Sequence, residues 1–335
     1  MITQSANQST QPKIWVLVDS RVGNANQAIE LAEKLDESFE IKHIKYNHFA
    51  KLPNSLLALF PIHVKRRTLK KLKKETIPDI IISSGRRTAA LAIHLKKLSK
   101  GSAKIIQIMR PDFDPKEFAL IILPQHDNFN YTLPNVVRII GALTNIKEKI
   151  AKSQEDFETN YPAAKDFIAV LIGGSTKNYK LTLENAKTLG DGILTISESH
   201  LLPVFISFSR RTPENVKKYF RDKFSWPNII YDPSEGGANP YPAILGKAEY
   251  IITTTDSISM CSEAASTGKP VYVFTPANFK LKKHKFFTQQ LIDIGNVRRL
   301  ETTTTYLDKF DYEPLSEINK IAKIIKERFL SDDGE

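Results

Sequence analysis

The sequence predicts an α/β protein made of two Rossmann-like domains, each a parallel sheet flanked by helices. Three observations carry that expectation. Apolar runs of strand length alternate with amphipathic segments along the 335 residues, and the alternation restarts near Phe167. Clusters of Gly, Ser, Thr and Arg follow several of these runs, where ligands lie in such sheets.

Residues 1–12 are polar and uncharged, with no basic start and no apolar stretch of a secretory signal, and are expected to form a disordered tail. The first strand is Ile14-Trp15-Val16-Leu17-Val18, followed by a loop from Asp19 to Asn24. A helix is expected over 25–35, because Ala28, Leu31, Ala32 and Leu35 fall on one face. Further strands are expected at 41–46, 79–83, 104–109, 118–123 and 136–140. A polar stretch over 147–165 then separates the halves, so the expected domains are 13–150 and 151–335. The second series of strands is expected at 167–172, 204–208, 228–231, 250–253 and 271–274. The last helix, over 315–329, carries Leu315, Ile318, Ile321, Ala322, Ile325 and Phe329 in one stripe, an element able to pack back on the N-terminal domain.

Composition limits the function classes. The fractions of 41% hydrophobic and 25% charged residues are those of a globular protein. The single cysteine, Cys261, allows no intrachain disulfide and suits a reducing compartment. No apolar run approaches the roughly 20 residues needed to span a bilayer, so the expected location is cytoplasmic, peripheral at the inner face of the membrane. The net charge of +11 belongs wholly to residues 1–150, which hold 24 Lys and Arg against 13 Asp and Glu. An anionic partner, a membrane surface or acidic glycolipid, fits that half, as does a plain solvated basic face. The segment 61–75 concentrates seven Lys and Arg around Val64, Leu69 and Leu72. It reads either as a basic amphipathic helix at a membrane interface or as an ordinary surface helix. Nucleic acid is not an expected partner, since no aromatic residues are interleaved with the basic cluster.

The densest chemical constellation runs from Thr253 to Ala265 and continues through Gly268-Lys269-Pro270. A strand ends there in hydroxyl residues and a helix begins, so backbone amides near Asp256, Ser257, Ser259 and Met260 can meet an anion with help from the helix dipole. Glu263, one to two turns in, is placed to accept the hydroxyls of a ribose. Capping by Asp256 or Ser257 explains the helix start but not the carboxylate. Gly173-Gly174-Ser175, with Lys177, is either a phosphate-approach turn or a structural turn. Ser209, Arg210 and Arg211 end the next strand, where guanidinium groups suit bidentate phosphate contact; Thr212-Pro213 is a helix start. Asn239 and Tyr241 stand in a loop that is either a routine turn or a contact to base or sugar.

These segments carry a resemblance. GGS at 173–175, SRRTP at 209–213, NPY at 239–241 and TDSISMCSEAASTGKPVYV at 255–273 are similar to the mitochondrial fission "elongated mitochondria" (ELM-type) family. So are DSRVGNANQ at 19–27, SGRR at 84–87 and PQHD at 124–127. Ser20 and Gln125 depart from the family pattern, where Gly and Glu are usual. The resemblance implies a GT-B fold, two Rossmann-like domains facing across a cleft, similar to nucleotide-sugar glycosyltransferases. It makes the second half the donor side and the first the acceptor side, with Arg21, Asn24, Gln27, Ser84 and Arg86 at its loops. Candidates for the general base are then Asp19, His126 and Asp127. Asp112-Phe113-Asp114 imitates a metal-binding pair, but its flanking prolines read as a turn. GT-B enzymes neutralise the leaving diphosphate with helix ends and cationic side chains, so no metal and no cofactor beyond the nucleotide-sugar substrate are expected. The expected activity is metal-independent transfer of a sugar from a nucleotide-diphosphate donor to an anionic cell-envelope or lipid-linked acceptor at the membrane surface. A nucleotide-sugar epimerase and a non-enzymatic membrane-recruitment scaffold are the alternatives.

Overall fold

The computed structural model describes residues 11–52, 57, 60–127 and 132–331; positions 1–10 of the expected tail lie outside the described residues. The chain divides into two compact units, Met1–Ile139 with Ile318–Glu335, and Ile140–Glu317.

The first unit opens with β1 (Ile14–Val18), α1 (Val22–Lys34) and β2 (Phe39–His43). A 3-10 turn at His48–Lys51 and the short α2 (Arg66–Leu72) lead to β3 (Ile80–Ser84). Then come α3 (Arg86–Leu98), β4 (Lys104–Ile108), β5 (Leu120–Pro124) and β6 (Val136–Ile139). All six strands pair in parallel in the order β2-β1-β3-β4-β5-β6. β1, β3 and β5 are buried at every residue, as strands covered on both faces must be, which is why they read as unbroken apolar runs. α1 starts earlier than expected, because the Asp19 carboxylate accepts the Arg21 N–H at 2.9 Å and turns the chain directly off β1.

α10 (Glu317–Ile325) closes this unit, burying Ile318, Ile321, Ala322 and Ile325, and runs on as one wide π turn over Lys326–Leu330. Lys326 reaches Asp36 at 2.8 Å, and Arg328 donates to the Pro134 carbonyl at 3.4 Å. The basic segment 61–75 yields only the seven residues of α2, with Leu72 buried and its cations exposed.

The second unit begins before residue 150. α4 (Ile146–Asn160) belongs to it: Ile150 sits where a Cβ on Gly246 would fall, 2.3 Å away, and Phe157 packs 5.7 Å from the Phe205 ring. The Ala142 N–H donates to Ser262 at 3.0 Å. A boundary at 150 would cut through this helix, and so the units divide at Ile139/Ile140.

Its elements are β7 (Ile168–Ile172), α5 (Leu183–His200), β8 (Val204–Phe208), α6 (Glu214–Lys223), β9 (Ile229–Tyr231) and α7 (Tyr241–Lys247). They continue as β10 (Tyr250–Thr254), α8 (Ile258–Ala265), β11 (Val271–Phe274), α9 (Lys282–Asp293) and β12 (Arg298–Leu300). The strand order is β9-β8-β7-β10-β11-β12, all parallel. Consecutive strands therefore grow outward from β7 to one edge, and the chain then crosses back to lay β10 on the other side of β7. Both sheet faces are covered by apolar clusters, one around Ile206, Phe220 and Phe279, the other around Phe205, Ile251 and Phe287.

Candidate functional site

An open parallel sheet offers a ligand its crevice where the strand order reverses, beyond the carboxyl ends of the two strands that flank the reversal. In the second unit those strands are β7 and β10. The turn after β7 is Gly173-Gly174-Ser175; the turn after β10 is Thr255-Asp256-Ser257.

The two turns are bonded to each other. The Gly173 N–H donates to Thr254 Oγ1 at 2.9 Å, and the Gly174 N–H donates to Asp256 Oδ2 at 2.6 Å. Ser175 gives its N–H to the Arg211 carbonyl at 3.0 Å, and its Oγ accepts from the Leu181 N–H at 3.2 Å. All three amides of the glycine turn are thus spent on protein partners. The glycines are needed for space: a Cβ at 173 would stand 2.2 Å from the Asp256 carboxylate, and one at 174 would stand 2.2 Å from the Arg211 carbonyl group.

The turn after β8 completes the cluster. Thr212 is buried and donates its hydroxyl to the Gly173 carbonyl at 2.6 Å. Ser209 donates its N–H to the Ile172 carbonyl at 2.9 Å and accepts the Arg211 N–H at 3.1 Å. Arg211 holds its guanidinium 3.7 Å from Asp256, the arginine side chain 42% exposed and the aspartate wholly covered. Burial pushes the Asp256 carboxyl above its usual pKa, against the Gly174 N–H and the Arg211 charge. Arg211 is therefore a cation tethered at the mouth of the crevice.

α8 begins there with Ser257 as its N-cap, accepting the Met260 N–H at 3.4 Å. The amides of Ile258 and Ser259 have no carbonyl one turn below them and carry the positive end of the helix dipole. Ser259 is exposed and Met260 half-buried. Glu263 follows Ser259 on the same face, about 6 Å along the helix. Its Oε2 accepts the Tyr241 hydroxyl at 2.7 Å. Burial, then the Glu263 charge, pushes the Tyr241 phenol well above its usual range, so it stays a donor and fixes the carboxylate.

Lys177, Arg210 and Asn239 are exposed, and among the described residues Lys177 and Arg210 make no hydrogen bond or ion pair to this cluster. Asn239 accepts the Tyr241 N–H at 3.1 Å and borders a different cavity of about 270 Å³, beside Phe157, Tyr161 and Tyr231. Among the described residues no group of three or more His, Cys, Asp and Glu could hold a metal ion. Asp114 caps the 3-10 turn Pro115–Glu117, accepting the Lys116 N–H at 3.0 Å.

Thr254, within the hydroxyl-rich strand end, holds Gly173, as described. Two residues near the site were not singled out in the sequence. Tyr179 and His284 flank Phe279, with ring centroids 4.7 Å and 5.9 Å from it. Burial, then the charge of Asp256, raises the Tyr179 phenol; burial, then the charges of Lys283 and Arg211, lowers His284 to about 4. No local signal marks either one, because strand pairing alone brings them near Arg211 and Asp256.

In the first unit, Asp19 directly follows β1, while His126 and Asp127 follow β5; His126 is 8% exposed. Three strand spacings separate β1 from β5, about 14 Å, so Asp19 and the His126–Asp127 pair cannot serve one and the same hydroxyl. Arg21 is exposed. Asn24 donates to the Ser84 carbonyl at 3.5 Å, Gln27 to the Gly23 carbonyl at 3.2 Å, and Arg86 to the carbonyls of Ala50 and Leu52, both at 3.3 Å. The Ser84 N–H donates to Thr88 Oγ1 at 3.1 Å. Gly85 is the N-cap of α3. The Asn24, Gln27 and Arg86 side chains thus brace the first unit's own backbone.

The family model of mitochondrial fission ELM1 matches residues 22–329. The chain belongs to that family. A protein of Rickettsia prowazekii (strain Madrid E), described as uncharacterised, is 40% identical over 93% of this chain and 97% of its own length. Among solved structures, UDP-GlcNAc 2-epimerase from Neisseria meningitidis bound to UDP-GlcNAc superposes with a TM-score of 0.57 at 17% identity, covering 95% of this chain and 99% of that one. The glycotransferase of kitacinnamycin gives 0.52 at 13% identity, covering 88% and 87%. This ELM1-family chain therefore has the two-unit, Rossmann-like GT-B fold found in glycosyltransferases and UDP-GlcNAc 2-epimerases.

Proposed function

We propose that this chain is a GT-B-type glycosyltransferase whose second unit binds a nucleotide-diphosphate sugar. The observation that carries the reading is the reversal between β7 and β10, which gathers Arg211, the α8 amino terminus and the Tyr241-held Glu263 at one strand-end crevice. Arg211 and the Ile258 and Ser259 amides meet the diphosphate and stabilise the charge that builds on it as the sugar leaves. Glu263 accepts the ribose hydroxyls. The known structures of this fold support it, since the Neisseria enzyme is bound to UDP-GlcNAc. Asp19, His126 and Asp127 are the proposed candidates for the base that takes the acceptor's proton; the basic first unit receives an anionic envelope or lipid-linked acceptor. Transfer needs no metal, because cation and helix dipole take its role.

Calorimetry against UDP-, GDP-, ADP- and dTDP-linked sugars tests the reading. Saturable binding to at least one is expected, and Glu263→Ala should weaken it roughly 10- to 100-fold, the worth of a hydrogen bond to a charged group. Absence of saturable binding to all four overturns it. Epimerised sugar formed from donor alone would assign the epimerase activity instead.

A further inference from the structure

Within the first unit, a cavity of about 420 Å³ opens beyond the ends of β1 and β2, lined by Ser20, Lys45, Tyr46, Lys51, Lys65 and Arg87 among others. Backbone pairing builds it. Tyr46 and Val64 form an antiparallel bridge, the Lys65 N–H donates to the Lys45 carbonyl at 2.8 Å, and the Asn47 N–H donates to the His63 carbonyl at 3.0 Å. Lys45 and Lys65 are thus neighbours across one rung. Arg87, in the first turn of α3, lies 5.6 Å over the Tyr46 ring, and His63 stacks on the same ring at 5.5 Å.

The charges here are unbalanced. Lys42 and Lys326 of this unit are paired with carboxylates. Among the described residues, Lys45, Lys51, Lys65 and Arg87 have no carboxylate within ion-pair distance. Among the described residues, Asp19 is the one acid whose charge acts on Tyr46. The Tyr46 hydroxyl and Arg87 Nε are buried with no hydrogen-bond partner, which leaves two donors available in a strongly positive place. An arginine fork, three ammonium groups and a hydroxyl make a donor set matched to phosphate oxygens. The nearby surface is apolar: Phe49, Phe60 and Ile62 are 42%, 64% and 44% exposed. Cations beside solvent-facing apolar side chains suit a headgroup region with acyl chains next to it.

We infer that this cavity binds a phosphate group presented by a lipid headgroup. The inference deepens the proposed anionic acceptor and rests on that reading only for the role of the bound lipid. Its test uses no nucleotide, so it stands or falls apart from donor binding.

The full chain is sedimented with vesicles of phosphatidylcholine alone and of phosphatidylcholine with phosphatidic acid, and its thermal midpoint is followed with inorganic phosphate. Binding only to the phosphatidic acid vesicles is expected. Lys45→Gln with Lys65→Gln should weaken it about tenfold or more, whereas Lys73→Gln with Lys74→Gln, an equal loss of charge outside the cavity, should cost roughly threefold or less. Lys45→Arg with Lys65→Arg should restore binding, which rules out misfolding. Equal losses in both glutamine pairs overturn the site, as does no response to vesicles or phosphate. Stabilisation by inorganic phosphate that needs Lys45 and Lys65, without vesicle binding, overturns the lipid as the source and assigns free phosphate.

Discussion

At the scale of single residues, the site depends on two glycines whose task is to let turns meet. Gly174→Ala should lower the urea midpoint by an amount corresponding to about 1–3 kcal/mol, because the added methyl strikes the Arg211 backbone, which cannot swing aside as a flexible side chain would. Nucleotide affinity should fall with it, since Arg211 is displaced. His284 supplies a pH dependence. Burial and two neighbouring cations hold its folded pKa at about 4, against 6.5 for a free imidazole. Between these values the unfolded chain takes up a proton that the folded chain refuses. Stability is therefore full above pH 6.5 and declines as pH falls towards 4. His284→Gln should flatten that decline in urea melts recorded across this range; an unchanged slope would contradict the assignment.

At the scale of elements, α6 is pinned to the turn after β9 by a buried ion pair. Lys217 and Asp232 are 5% and 2% exposed, their charges are 2.8 Å apart, and Arg221 reaches the same carboxylate at 2.7 Å. Burial alone would raise the Asp232 pKa, but Lys217 and Ser234 hold it well below the usual range. Asp232→Ala strands a buried ammonium and should cost about 3–5 kcal/mol, while pairing it with Lys217→Met should recover much of that in a double-mutant cycle. Which elements exist was legible in the sequence wherever burial is two-sided, as in β1, β7 and β10. β12 was not: Arg298 and Arg299 are exposed on a three-residue edge strand, so no apolar run announces it. The order of strands was not legible either, since β7 pairs with β10 across about 80 intervening residues. For the same reason Gly173, Gly174, Arg211 and Asp256 could each be singled out, while the close approaches between them could not.

At the scale of the whole molecule, the charge follows the units. The first, with its returning segment, holds 26 Lys and Arg against 16 Asp and Glu; the second holds 22 against 21. Among the described residues no helix is long and apolar enough to cross a membrane. The first unit depends on its last helix. Ile318, Ile321 and Ile325 are nearly wholly buried, each worth about 1.5–3 kcal/mol, and their sum rivals the net stability of a domain. Ending the chain at residue 317 should therefore loosen that unit. Tryptophan emission reads it directly, because Trp15 is fully buried in β1 while Trp226 is already 74% exposed. A red shift is expected on truncation, and unchanged emission would show that α10 is dispensable.

The split of the first unit around the second also sets a timetable for synthesis. Residues 140–317 leave the ribosome as one continuous stretch and can complete their sheet at once. The strands before them must wait for Ile318–Ile325, and at about 5–20 residues per second the delay is on the order of 10 to 35 s. Throughout that interval the basic unit exists with the α10 face uncovered, and so the half of the protein made first is the half finished last.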